Sequence, residues 1–511
     1  MNPTVDTDLL VIGGGISGAG VALAAARRGL RVTLVEREDF ASGASSASSK
    51  LVHGGLRYLA QGAVHLTAQS LRERERLLRE LPGLVQRLPF SLAAGGAASR
   101  ASTALGLRLY DALARRHARG FDPATTLAWT VPGWHAPQGA HRYDDATTDD
   151  ARLTLRVLQE ARTWGAQLHN RTALEALTRD AQGHVNGAQL RGPGGQPWTL
   201  RCRASVAATG AHLTTLADQV GLQAPQLRPL RGSHLLLPLW RLPLARAVAW
   251  RHARDGRPVF AYPWLGTLIV GTTDEDHPDP ERAPRITAAE QAYLLDALAQ
   301  AFPRAGIQAC DLQCTWAGLR PVLDSGQGLA PSQERRDTLV QASQGLVLLS
   351  GGKLTTFIPM AEAALRAAAP WLPPLREPAH AAWFAGGGTP LPPEALRGEC
   401  LGGTQTRMGE IAWSLQHEQV HHLDDLLLRR TRLGLRQPAF AQALLPALQT
   451  PCQSALGWDG TRWRFEVERY LALMHERHGV VGPERRAAPK PGPIPSGDRP
   501  AHAPGEGRTA S

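Results

Sequence analysis

Three sets of residues in this sequence have types and spacing that could do chemistry. The first is the run Gly13-Gly14-Gly15-Ile16-Ser17-Gly18, followed by the acid Glu36. Gly13 permits a tight turn, Gly15 lets the main chain approach a pyrophosphate, and Gly18 allows close helix–strand packing. Amides at a helix start, with the helix dipole, stabilise the phosphate charge, and Glu36 can accept hydrogen bonds from a ribose diol. The second set is Ser42–Leu59, SGASSASSKLVHGGLRYL, which embeds Lys50, His53, Arg57 and Tyr58 among small residues. Such Gly/Ser density suits backbone laid against a ring system. Leu51, Val52, Leu56 and Leu59 argue against a solvated loop. The third set is dispersed. His234, in RGSHLLLP, can accept a hydroxyl proton because its pKa lies near working pH; a core histidine bonded to backbone is the other reading. Lys353 stands between Gly352 and Leu354 in a chain whose only other lysines are Lys50 and Lys490, so a compact point charge is kept where arginine is the rule. Thr272, Thr273 and Asp274 follow the strand pattern Thr267–Gly271 and suit either a ligand pocket or a capped turn.

The elements that must hold these groups are legible around them. Residues 8–12 read as a buried strand, an Ala-rich helix runs to Arg28, and a second strand pattern begins at Arg31 and ends at Glu36. That order of strand, glycines, helix, strand and acid is a dinucleotide unit. Its place at the N-terminal end of a long chain favours FAD over NAD. So does the run from Ser205 to Gly210, a strand ending in the small residues Ala208, Thr209 and Gly210. Gly351, Gly352, Leu354 and Thr355 are expected to open a helix through Ala369, whose first amides could stabilise negative charge on a reduced ring.

The bulk numbers exclude several classes. A chain of 511 residues with 43% hydrophobic and 20% charged residues is globular, with two to three domains expected. The formal net charge is +11, carried almost wholly by arginine; no zinc-finger spacing or RNA-binding aromatic motif accompanies it, so nucleic acid is not an expected partner. Five cysteines without a CxxC pair point to reduced thiols and no metal site. The start MNPTVDTD, with Arg27 as its first basic residue, is wrong for a signal peptide. The apolar run Leu9–Ala26 is broken by glycines, which suits strand, turn and helix rather than a membrane span. Residues 99–119 can form a basic amphipathic helix, with Leu105, Leu109, Ala112 and Leu113 on one face and Arg100, Arg108, Arg115, Arg116 and Arg119 supplying cations. It suits either anionic lipid or an ordinary solvated face.

Taken in order, GGGISGAG, SSASSKLVHGGLRYL, GSHLLLP, VGTTDED, AGLRPV, SGGKLTTF and LDDLLLRRTRLGL resemble the FAD-dependent glycerol-3-phosphate dehydrogenase family of the aerobic, quinone-linked type, over residues 8 to about 480. The resemblance implies an α/β fold: a Rossmann-like FAD domain of the glutathione-reductase/D-amino-acid-oxidase type, a sheet-containing substrate cap, and an all-helical C-terminal domain. The expected boundaries are 1–95, 150–220 and 318–385 for the FAD domain, 96–149 and 221–317 for the cap, 390–482 for the helical domain, and a disordered tail over 483–511. The resemblance further implies oxidation of sn-glycerol 3-phosphate to dihydroxyacetone phosphate by hydride transfer to flavin N5, with quinone as acceptor. The alternatives are an oxidase using oxygen, or a related amine or amino-acid oxidase.

By the same resemblance, His234, Arg320 and Lys353 are the catalytic candidates, with His53 a rival for the proton. Arg57, Tyr58, Thr273, Arg320, Arg336 and Lys353 would bind substrate. FAD would lie along Gly13, Gly15, Ile16, Ser17, Gly18, Glu36 and Arg37; along Ser45, Ser46, Ser49, Lys50, Leu51, His53, Gly54 and Gly55; and along Ala173, Ala208, Thr209, Gly210, Gly352, Lys353, Leu354 and Thr355. The expected location is cytoplasmic, with peripheral contact to anionic lipid at the inner face of the membrane. A homodimer is compatible with the sequence.

Overall fold

The computed structural model describes residues 4–116, 120–219, 226–324, 326–328, 334, 337–379, 381–384 and 391–482. Arg119, Arg336, residues 385–390 and the expected tail over 483–511 lie outside the described residues.

The dinucleotide unit is built on a six-stranded sheet. Its order is Thr338–Ser343, Leu346–Gly351, Ala204–Ala207, Leu9–Ile12, Val32–Val35, Gln167–His169. The strands run parallel apart from the hairpin formed by the first two. Leu9–Ile12 is apolar at every position because both of its faces are covered. Leu9 and Val11 point into the core shared with helices Ile16–Ala26, Asp150–Thr163 and Phe357–Ala368, while Leu10 and Ile12 point to the opposite core. There they meet a four-stranded sheet of Thr4–Asp6, Pro197–Arg201, Val185–Arg191 and Ala173–Arg179. The helix expected to open at Gly351 begins later: Leu354–Thr356 is a 3-10 turn, and the α-helix spans Phe357–Ala368.

A second, larger sheet carries the cap. Its path runs Glu275–Asp276, Leu227–Pro238, Thr267–Gly271, Pro258–Trp264, Ala247–Arg251, Val85–Ala93, Ala140–Thr148, Leu51–Val52. Cys314–Leu323 pairs with Leu227–Pro238 along ten residue pairs. Three strands therefore correct the expected boundaries. Leu51–Val52 and Val85–Ala93 belong to this sheet rather than to a 1–95 dinucleotide segment, and Cys314–Leu323 continues four residues into it before 318 and five beyond. The cause is non-local pairing: Val85–Ala93 joins the sheet through Ala247–Arg251 and Ala140–Thr148, partners that no local pattern announces.

The C-terminal segment is helical, with helices Met408–His417, Leu445–Leu456 and Gly460–His478. Within it, Asp425–Arg430 forms a wide π-helical turn, and Arg432 takes φ +61°. In an α-helix Arg429 and Arg430 would point about 100° apart; here both reach the carboxylate of Asp39. No helix among the described residues is long and apolar enough to cross a membrane.

Candidate active site

A cavity of about 1740 Å³ runs between the dinucleotide unit, the cap and the helical domain. At one end lies the glycine turn. Strand Leu9–Ile12 stops at Gly13, whose φ of +110° only glycine adopts without strain; a Cβ there would sit 2.6 Å from the Ala208 carbonyl oxygen. A Cβ on Gly18 would lie 1.9 Å from the Gly13 oxygen, so Gly18 serves packing behind the turn. Gly13, Gly15, Ile16, Ser17, Glu36 and Arg37 line the cavity. The Glu36 carboxylate accepts from the Gly14 amide at 2.7 Å and the Glu38 amide at 2.8 Å, and burial raises its pKa. Arg37 pairs with Glu281 of the cap at 3.3 Å, and Glu281 also holds His212 at 2.8 Å.

Ala173, Ala208, Thr209 and Gly210 form the facing wall. Thr209 Oγ1 is buried with no protein partner among the described residues. A close-approach turn, a helix start with its unsatisfied first amides, and a waiting hydroxyl fit a dinucleotide.

Further along, Ser45, Ser46, Ser49, Leu51, His53, Gly55, Gly352, Lys353, Leu354 and Thr355 also line the cavity. Two expected members do not. Lys50 is fully buried behind the loop, where its ammonium meets both oxygens of Asp150 at 3.0 and 3.2 Å and the Ser46 carbonyl at 3.0 Å. It lies between the rings of Trp264 and Trp316, and burial lowers its pKa to about 8 against the pull of Asp150. Gly54 is packed under Leu71 and donates its amide to Asp145 at 3.0 Å.

The cations expected to bind substrate gather where Gly352–Thr355 meets the short helix Leu56–Ala60. The Lys353 ammonium stands 3.6 Å from the centre of the Tyr58 ring and 3.4 Å from Ser70 Oγ. The Arg57 guanidinium is 5.5 Å from the same ring and has no carboxylate partner among the described residues. Arg320 lines the cavity from the cap, bonded to Asp274 at 2.8 Å, Thr272 Oγ1 at 2.9 Å and the Thr273 carbonyl at 3.2 Å.

Thr273 and His234 do not face the cavity. The Thr273 hydroxyl donates to Glu290 at 2.7 Å and accepts from the Ser233 amide, which turns it into the cap. His234 is 1% exposed, stacked on Trp316 at 4.9 Å, and reaches the cavity wall only through Ser49 Oγ, 2.8 Å from its Nε2. Burial, then Arg320 and Lys50, push its pKa well below the usual histidine value, so the ring is neutral.

Sequence reasoning missed Asp145, which accepts from Gly54 N, from Arg74 at 2.7 Å and from Tyr110 at 2.8 Å, and so anchors the turn that presents His53 and Arg57. The only local trace was a pair of acids inside a strand pattern, Asp144-Asp145.

Comparison with known proteins agrees with this geometry. The model for FAD dependent oxidoreductases matches residues 8–367, and that for the C-terminal domain of alpha-glycerophosphate oxidase matches residues 394–463. The aerobic glycerol-3-phosphate dehydrogenase of Staphylococcus aureus is 35% identical over 365 residues, covering 70% of this chain and 65% of that protein. The glycerol-3-phosphate dehydrogenase of Bacillus halodurans, solved with FAD, superposes with a TM-score of 0.74 at 26% identity, over 94% of this chain and 97% of its own. L-alpha-glycerophosphate oxidase of Mycoplasma pneumoniae shares the fold, with a TM-score of 0.59 at 17% identity over 74% and 98% of the two chains. The glycine turn, the sheet order and the match over most of the chain converge: this protein belongs to the FAD-dependent oxidoreductase family, with FAD as its cofactor.

Proposed function

We propose that the protein oxidises sn-glycerol 3-phosphate to dihydroxyacetone phosphate and passes the electrons to quinone. The observation that carries this reading is the convergence of Lys353 and Arg57 on Tyr58 beside the Gly352–Thr355 segment of the cofactor groove. FAD, when bound, supplies the two-electron acceptor. Arg57 and Lys353 grip the phosphate, the arginine by its fork and the lysine as a point charge. Arg320, held in place by Asp274 and Thr272, orients the carbinol from the opposite wall. His53 lines the cavity and takes the hydroxyl proton, whereas His234 is shut behind Ser49 and steadies that loop. Arg336 is proposed as a further phosphate contact on the resemblance of its motif alone.

The substrate reading is supported by the dehydrogenase relatives, one of which is matched over only 65% of its length. Anaerobic titration of the yellow holoenzyme with glycerol 3-phosphate tests it. Stoichiometric bleaching of the flavin absorbance is expected, and an unchanged spectrum would refute the assignment. Mixing the bleached enzyme with quinone and, separately, with oxygen then identifies the acceptor. Peroxide formation at the rate of turnover would replace quinone by oxygen.

The quinone reading draws on a surface feature. Leu105, Leu109 and Val64 are 69%, 44% and 43% exposed and sit on the cavity rim. A rim of exposed leucines flanked by Arg108 suits peripheral contact with anionic lipid at the inner face of a membrane. L105Q/L109Q should abolish co-sedimentation with anionic liposomes; sedimentation equal to that of the unaltered protein would remove the lipid from the proposal.

A further inference from the structure

The block LDDLLLRRTRLGL lies outside the substrate pocket, yet Arg429 and Arg432 line the same cavity as the cofactor turn. It is joined to the dinucleotide unit by buried ion pairs. One arm ends on Asp39, just beyond the ribose acid Glu36. The Asp39 carboxylate accepts from Arg429, from Arg430 at 2.6 and 2.8 Å, and from the Asn170 amide at 2.9 Å. The other arm ends on the Ser45–Ser49 loop. The Arg432 guanidinium spans Asp149, at 2.8 Å, and Asp150, and its Nη1 lies 3.5 Å from the Ser46 carbonyl. Asp150 in turn accepts from the Ser48 amide at 3.0 Å, the Ser48 hydroxyl at 2.7 Å and the Lys50 ammonium.

The loop so held lines the cavity beside the glycine turn, where it would meet FAD. Ser45 Oγ accepts from the Ile16 amide, at the first turn of the phosphate-binding helix, at 2.9 Å. The cap fixes the rest: the Ser48 carbonyl accepts from Trp316 Nε1 at 3.3 Å, and the Ser49 carbonyl accepts from the Tyr262 hydroxyl. Loop position is thus settled by all three parts of the molecule. The helical domain's polar share is carried by Arg432: within this cluster the cations Lys50 and Arg432 balance the anions Asp149 and Asp150, all four nearly or wholly withdrawn from solvent. Without Arg432, two carboxylates face Lys50 alone, and the carboxylate that pins Ser48 loses the partner that fixes its own place.

We propose that Arg432 is a positioning residue for FAD: acting through Asp150, it sets the Ser45–Ser49 loop, which makes the C-terminal helical domain a working part of the cofactor site. This is independent of the identity of the substrate. The experiment uses full-length holoenzyme carrying R432A, R432K or R462A. Arg462 lies on the same domain but pairs with Glu466, away from the loop. FAD release on dilution is followed by the fluorescence of the freed flavin, and the absorption spectrum of the bound flavin is recorded at saturating FAD. R432A should weaken FAD binding roughly tenfold or more and shift the bound-flavin maxima, with R432K intermediate and R462A unchanged. A simple loss of fold would lower the amount of competent protein without moving the spectrum of the flavin that remains bound. A folded R432A with unaltered release and spectrum overturns the proposal, as does R462A weakening FAD equally. If R432A yields no folded chain, R432K is decisive: weaker FAD binding supports the proposal, and unaltered binding overturns it.

Discussion

Two groups of cations stand in or just behind the wall of the same cavity and are held in opposite ways. Arg430 and Arg432, with Lys50 behind the flavin loop, are buried, and each is bonded to carboxylates of a distant segment. Arg57 and Lys353 are half-buried, line the cavity and rest against the Tyr58 ring. Saturating a buried cation with carboxylates gives a fixed geometry, and little net stability over an apolar equivalent. A ring face attracts a cation by its quadrupole and takes up none of its N–H donors. The same two residue types are therefore architectural in the first group and, in the proposed function, substrate-binding in the second.

That contrast can be broken or sharpened by substitution. Removing Arg430 leaves Asp39 with Arg429 as its remaining charged partner, so R430A should lose about 1–3 kcal/mol of unfolding free energy in denaturant titration. A loss below about 1 kcal/mol would mean that the buried group is as dispensable as a surface pair. K353A should leave FAD content and melting temperature intact while kcat/KM for glycerol 3-phosphate falls by roughly 10²–10³. A drop in thermal stability with kcat/KM preserved would move Lys353 into the architectural group.

The pH dependence separates the groups further. Burial pulls the Asp39 pKa up, but Arg430 and Arg429 outweigh it and hold the carboxyl below its ordinary value of 3.8. The folded state thus binds the proton less tightly than the unfolded chain, and stability falls as pH drops below about 4. D39N should be less stable at neutral pH and show a shallower loss through that range; an unchanged slope of stability against pH would exclude Asp39 from the acid response. The smallest effect belongs to a surface pair such as Arg191–Glu175, where both side chains are largely solvated. R191A should change stability by about 1 kcal/mol or less.

The sequence already carried the glycine turn, the order of strands around it and the segment from Ser42 to Tyr58, because each depends on residues close together in the chain. What it concealed was direction. Lys50 and Lys353 look alike as lone lysines among small residues. They differ because Asp150, a hundred positions away, captures the first. His234 and Thr273 sit in motifs next to the cavity, yet strand pairing decides where their side chains point. His234 faces Trp316 across the strand pair, and Thr273 is drawn to Glu290 at the start of the helix Ala288–Ala301. The wide turn at Asp425–Arg430 was hidden for a similar reason: its shape answers to Asp39 rather than to local propensity.

The reach from Ser46 to Arg432 spans 386 positions. A ribosome delivers the nucleotide-binding turn long before it delivers the arginine that braces the neighbouring loop. The nascent chain can therefore make this contact only after most of its length has been synthesised.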